Sequence, residues 1–109
     1  MRARRARTAR QRVSRVPLAL AADHPAYEGH FPGEPVLPGA VLLDAVIGAL
    51  EAAAGGAART WQVTVVKFVG AVRPGEPLEL EHEALETGAI RFRVTSGART
   101  VATGMLSPT

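Results

Sequence analysis

The sequence predicts an α+β fold in which one apolar helix packs against an antiparallel sheet of about five strands. Three observations predict it. The stretch from Gly39 to about Ala54 carries apolar residues at helical spacing, starts after a proline and stops at a glycine pair. The C-terminal half alternates apolar and charged residues with a period of two. Short turn sequences separate these alternating segments, and only antiparallel neighbours can be joined so tightly.

Taken in chain order, Val16 to Ala21 (VPLALA) reads as a short strand, with Pro17 suited to a strand start or an edge. Asp23 to Pro38 reads as a loop, punctuated by Pro25, Gly29, Pro32, Gly33, Pro35 and Pro38. That density prevents regular structure and stiffens the backbone. In the helix that follows, Val41, Leu42, Ala45, Val46, Ala49, Leu50 and Ala53 form one apolar stripe, and Leu43 and Ile47 add apolar residues beyond it. A helix apolar nearly all round is expected to be a buried central helix. Gly55-Gly56 ends it.

Arg59 to Val72 reads as one long strand, apolar on both faces, and Arg73 to Pro77 as a turn. Leu78, Leu80, His82 and Ala84 alternate with Glu79, Glu81 and Glu83; Ile90, Phe92 and Val94 alternate with Arg91, Arg93 and Thr95. A loop of Glu86, Thr87 and Gly88 would pair Glu83 with Arg91, Glu81 with Arg93 and Leu80 with Val94. Charge and core patterns thus choose the same register. Gly97-Ala98 suits a two-residue turn into a last strand, Thr100 to Ser107.

Composition narrows the function classes. A length of 109 residues sets one domain as the expectation, with a core small enough to gain from oligomer burial. Hydrophobic content is 47%, yet no apolar run reaches membrane-spanning length. The absence of cysteine excludes disulfides and thiol catalysis and fits a cytoplasmic protein. The net charge of +3 hides an asymmetry: Met1 to Arg15 holds seven arginines and no acid, while the rest carries six basic and ten acidic side chains. Residues 1–15 are expected to form a basic, disordered tail, and residues 16–109 the folded domain. The tail lacks the apolar core of a secretory signal. Neither a membrane nor nucleic acid is the expected partner.

The residues with chemistry cluster between His24 and Leu50. Asp44 is the one charged side chain between Val41 and Ile47. Burying an unpaired acid costs several kcal/mol, so the position demands a partner or a proton. An acid at the edge of the helix face, hydrogen-bonded to a loop, fits the periodicity as well. His30 precedes it by 14 residues in the stiff loop. Gly39 opens the helix, where free N–H groups and the helix dipole can hold a developing negative oxygen. A tight loop-to-helix turn would also explain that glycine.

The stretch GHFPGEPVLPGAVLLDA resembles the signature of the β-hydroxyacyl-acyl carrier protein dehydratases, which have the hotdog fold. The histidine, the FPG, the PG at the helix start and the acid 14 residues after the histidine all match. Short, divergent members of polyene or polyketide-like pathways are the most similar. The resemblance implies an antiparallel sheet wrapped around the Gly39–Ala54 helix and dehydration of a β-hydroxyacyl thioester to the trans-2-enoyl thioester. It implies His30 as the base at the α-carbon, Asp44 as the acid that helps the β-hydroxyl leave, and the Gly39 N–H as oxyanion donor. Phe31, Pro32, Gly33, Pro38 and Ala40 are implied as substrate-binding. The implied substrate carrier is acyl carrier protein or CoA, with no cofactor or metal, and the implied assembly is a homodimer or higher even oligomer. One departure stands out. Members that only dehydrate usually carry Glu where Asp44 stands; Asp marks the branch that also isomerises the double bond, whereas the FPG here looks like the first branch.

The other candidates are weaker. His24, His30 and Asp44 form no recognised metal spacing. His24 reads as a loop or capping residue, Tyr27 borders the motif, and His82 reads as a packing residue. Arg59, Lys67 and Arg73 could meet an acidic carrier, or simply face solvent. Two other functions compete with dehydration: a hotdog thioesterase, and a non-catalytic acyl-carrier-binding subunit. The combination of His30, FPG, PG and Asp44 favours elimination over both.

Overall fold

The alternating C-terminal half does form the sheet. The computed structural model describes residues 13–18, 38–56, 60–73 and 75–109. In chain order these form β1 (Ser14–Leu18), α1 (Gly39–Ala53), β2 (Trp61–Phe68), β3 (Leu78–Ala84), β4 (Ile90–Ser96) and β5 (Arg99–Pro108). The sheet order is β1-β3-β4-β5-β2, and every pair is antiparallel.

The predicted register of the central hairpin is the observed one: Glu83 faces Arg91, Glu81 faces Arg93, and Leu80 faces Val94. Its loop closes with the Leu85 N–H donating to the Ala89 carbonyl at 2.8 Å, and Gly88 takes φ +92°, a left-handed value that glycine adopts without strain. The β4–β5 turn places Gly97 at φ +62°, as its two-residue length requires.

Alternation puts Leu80, Val94, Ala102 and Leu106 on one face, each at most 1% exposed. Helix α1 lays Leu42, Val46 and Leu50 on that face, spaced four residues apart. Burial of side chains of this size is worth roughly 1.5–3 kcal/mol each. The indole N–H of Trp61 donates to Glu51 at 3.1 Å, tying the start of β2 to the last turn of the helix. The opposite sheet face carries the charges. Glu81 accepts from Arg93 at 2.9 Å and from Arg15 at 3.1 Å, so its carboxyl is held below the usual carboxylate range, first by Arg93 and then by Arg15.

Departures from expectation concern β1, β2 and the helix. Strand β1 begins at Ser14, not Val16, because Ser14 and Arg15 pair with His82 and Glu81. Residues 1–12 of the basic tail lie outside the described residues. The long strand expected over residues 59–72 stops at Phe68: the N–H groups of Val69 and Gly70 both converge on the Val101 carbonyl, at 2.8 and 3.2 Å, which breaks the ladder. The chain then turns Val72 into the core, 3% exposed. The third is the helix. It is not buried all round but leaves one side open, with consequences for Asp44. Among the described residues, no helix is long and apolar enough to cross a membrane.

Candidate active site at the helix start

Pro38 caps α1 with extended backbone (φ −62°, ψ 144°) and no side-chain cap hydrogen bond. Its carbonyl accepts from the Val41 and Leu42 N–H groups at 3.1 and 3.2 Å. Among the described residues nothing accepts from the N–H groups of Gly39 and Ala40. The first turn contains no acidic residue to compete for them. Two unused donors at the positive end of a helix dipole form a place for a developing oxyanion.

The ring of Phe68 stands against this start. A Cβ built on Gly39 would lie 2.9 Å from Phe68 Cζ and 3.0 and 3.1 Å from its two Cε atoms. A side chain at position 39 would therefore have to displace the Phe68 ring, whereas glycine leaves the ring where it stands. Sequence reasoning missed Phe68. The signal was present in the alternation of β2, since Val66 and Phe68 share a face.

Asp44 corrects the expectation of a buried acid. It is exposed, and it shares an open strip with Ala40, Gly48 and Ala52. The reason is angular. At 100° per residue, Asp44 sits about 200° from both Leu42 and Val46, which face the sheet. Leu43, Ala45 and Ile47, the apolar neighbours that suggested burial, are half-buried flanks packed against the core. Asp44 still lies on the same helix face as Ala40, one turn or about 6 Å along the axis from that free N–H. The neighbours of Asp44 at i−4 and i+4, Ala40 and Gly48, are small, so the strip lets another molecule approach the carboxylate closely.

The structure thus brings together Pro38, Gly39, Ala40 and Asp44. His30, Phe31, Pro32 and Gly33 lie outside the described residues, as do His24, Tyr27 and Arg59. His82 is on the core face of β3, half-buried opposite Phe92. Its Nε2 is buried without a hydrogen-bond partner among the described residues, and burial pushes its pKa below the usual value. A cavity of about 470 Å³ is not at the helix start. It lies across the outer sheet face between Val13, Val65, Lys67, Arg93 and Met105. The position of the cavity does not decide the site, because the oxyanion donors and Asp44 are on the other side of the sheet.

A sheet wrapped around one helix, with donors free at the helix start, defines a hotdog-fold protein. The family model for the ApeI-like proteins, described as ApeI dehydratase, matches residues 6–105, and the chain belongs to that family. The chain is 36% identical over 69 residues to the 3-hydroxyacyl-[acyl-carrier-protein] dehydratase FabZ of Chloroflexus aggregans, covering 57% of this chain and 48% of that one. It is 39% identical over 71 residues to the FabZ of Thermus thermophilus, covering 58% and 50%. It therefore spans about half the length of the curated relatives it matches. Among solved structures it is similar to the dehydratase heterocomplex ApeI:P from Xenorhabdus doucetiae, with a TM-score of 0.73, 27% identity, and 90% and 88% of the two chains covered. A fluoroacetyl-CoA-specific thioesterase, FlK, shares the fold alone, with a TM-score of 0.59 at 11% identity and 91% and 86% covered.

Proposed function

We propose that this chain dehydrates a β-hydroxyacyl thioester, carried on acyl carrier protein or CoA, to the trans-2-enoyl thioester. The observation that carries the proposal is the helix start. Among the described residues nothing accepts from the Gly39 and Ala40 N–H groups, and Asp44 lies one turn along the same face, in a chain of the ApeI-like dehydratase family. In the proposed reaction the thioester oxygen accepts from the Gly39 N–H, which makes the α-proton acidic enough to remove. His30 takes that proton. Electrons of the C–H bond form the new C=C bond, and the β-hydroxyl leaves as water with a proton delivered through Asp44. Phe31, Pro32, Gly33 and Pro38 would shape the pocket around these atoms. The reaction serves fatty-acid, polyene or polyketide-like biosynthesis in the cytoplasm.

The open strip around Asp44 supports an assembly as the working unit. Strand β2 ends the sheet, and Val63, Val65, Phe68 and Val69 at that edge are 46–63% exposed. A second hotdog chain paired at this edge would cover that apolar surface. The partner is a second copy of this chain; a different chain is the alternative, since the similar Xenorhabdus doucetiae protein forms a heterocomplex, ApeI:P.

The test is an assay of the purified protein with a β-hydroxyacyl thioester, following enoyl absorbance and free thiol together. Enoyl product without thiol release is expected. Thiol release without enoyl product would mean a thioesterase, and neither product a binding subunit.

A further inference from the structure

We propose that Phe68 is a positioning residue of the dehydratase site: its ring forms the apolar wall that holds the acyl thioester against the Gly39 N–H. The inference rests on the dehydratase reading and goes beyond it by assigning a residue on β2 to the chemistry at the helix.

The ring meets Gly39 end-on, since its Cζ and both Cε atoms are the three nearest to a Cβ at that position. Helix start and ring are therefore fitted to each other, and the fit exists only because residue 39 has no side chain. The ring is not core filling. It is 51% exposed and stands outside the buried cluster, although Val66, two residues earlier on the same face, packs against that cluster. A half-exposed aromatic ring beside two backbone donors without an acceptor among the described residues combines an apolar surface with a polar anchor. That pairing fits a thioester, whose carbonyl oxygen needs a donor and whose α- and β-carbons need an apolar contact. An oxygen within about 3 Å of the Gly39 N–H leaves those carbons within reach of the same ring. The ring also keeps water from the donors, which strengthens their hold on a developing charge.

The experiment is a double-mutant cycle on Gly39→Ala and Phe68→Ala, with Phe68→Leu as the variant that keeps an apolar wall. The readouts are kcat and KM on a β-hydroxyacyl thioester, with melting temperature measured alongside. Phe68→Ala is expected to lower kcat by roughly 10- to 100-fold, as a small misplacement of reacting groups does, with a smaller change in KM. Phe68→Leu should recover most of that loss. Gly39→Ala should cost on the order of 100-fold in the wild-type background, because the new methyl drives the ring and the donor apart. In the Phe68→Ala background the same change should cost far less, because the ring it collides with is gone. Losses that simply multiply in the double variant, or full kcat in Phe68→Ala, would overturn the role of Phe68. A wild type that makes no enoyl product would instead refute the dehydratase reading and this inference with it, so the two failures are distinguishable.

Discussion

Two glycine-to-alanine changes of identical chemistry are expected to move stability in opposite directions. Gly104 lies in β5 between Phe92 of β4 and Val66 of β2. A Cβ there would stand 2.6 Å from the Val65 carbonyl oxygen and 2.7 Å from two atoms of the Phe92 ring. The ring can turn, but the carbonyl moves only if β2 moves. Its backbone is not in the left-handed region, so alanine is conformationally allowed and would by itself restrict the unfolded chain favourably. Any loss must then come from the collision, and overpacking of this kind costs about 1–3 kcal/mol. Gly48 is the control. It sits mid-helix on the open strip with nothing within 4 Å of a Cβ, so alanine should stabilise the isolated chain by roughly 0.5–1 kcal/mol. At about 4–8 °C per kcal/mol for a domain of this size, the two variants should separate clearly in melting temperature. Urea denaturation gives the free energies directly. A Gly104→Ala protein as stable as wild type would refute the close approach of β2 to β5 described here.

Further outcomes are expected. Stability should fall in two steps as pH drops. His82 is held below its usual 6.5 by burial, so protonation opposes folding: its contribution is complete above 6.5 and shrinks as pH falls toward its folded value. Glu76, held below 4.5 by the Arg73 N–H, and Glu81, held down by Arg93 and Arg15, contribute above the usual carboxylate range and lose that contribution as pH falls through their lowered values. His82→Gln should flatten the upper step alone in pH-dependent urea melts. His30→Ala and Asp44→Asn should each lower dehydration by about 100-fold or more with melting temperature preserved, and Asp44→Glu should retain appreciable activity; near-normal rates in the first two would rule out the proposed pair. Removing residues 1–12 should leave the melting temperature within a few degrees, since among the described residues the first sheet pairing begins at Ser14, and a large drop would mean that the tail packs. Val63→Lys at the exposed β2 edge should lower the assembly size in sedimentation, and an unchanged mass would place the interface elsewhere.

The sheet was legible because its hairpins are short-range problems. Glu81, Glu83, Arg91 and Arg93 fix a register by charge, Leu80 and Val94 fix it by burial, and Gly88 and Gly97 fix the turns; each signal lies within a few residues of the others. Helix limits were legible for the same reason, from Pro38 and Gly55-Gly56. The end of β2 was not. Its composition continues apolar through Val72, and what stops the strand is the Val101 carbonyl more than thirty residues away accepting two N–H groups at once. Periodicity also could not say how much of α1 the sheet would cover. Leu43 and Ile47 read as a second apolar face, yet in the folded chain they form one half-buried flank and Val41 and Ala45 the other, and Asp44 lies in the open strip between the two flanks. Of the site, the glycine and the acid were visible as sequence, whereas the Phe68 ring against Gly39 was invisible, because it joins two elements 29 positions apart.

The exposure of Asp44 and the exposure of the β2 edge have one physical origin. A sheet of five strands with a single helix covers only the side of that helix that faces it. The other side of α1 therefore keeps half-buried Val41, Leu43 and Ile47 flanking a strip of small residues and one carboxylate. Asp44 makes no ion pair there among the described residues. Small neighbours at i−4 and i+4 make sense if something must reach the carboxylate, and a chain pairing along β2 approaches from the side where Phe68 and the helix start already stand. Gly48→Ala therefore reads out more than stability. Its added methyl should strengthen the isolated helix, but it narrows the approach to Asp44. A variant that melts higher yet dehydrates more slowly is therefore the expected combination, and an unchanged rate would mean that substrate and partner reach Asp44 from elsewhere.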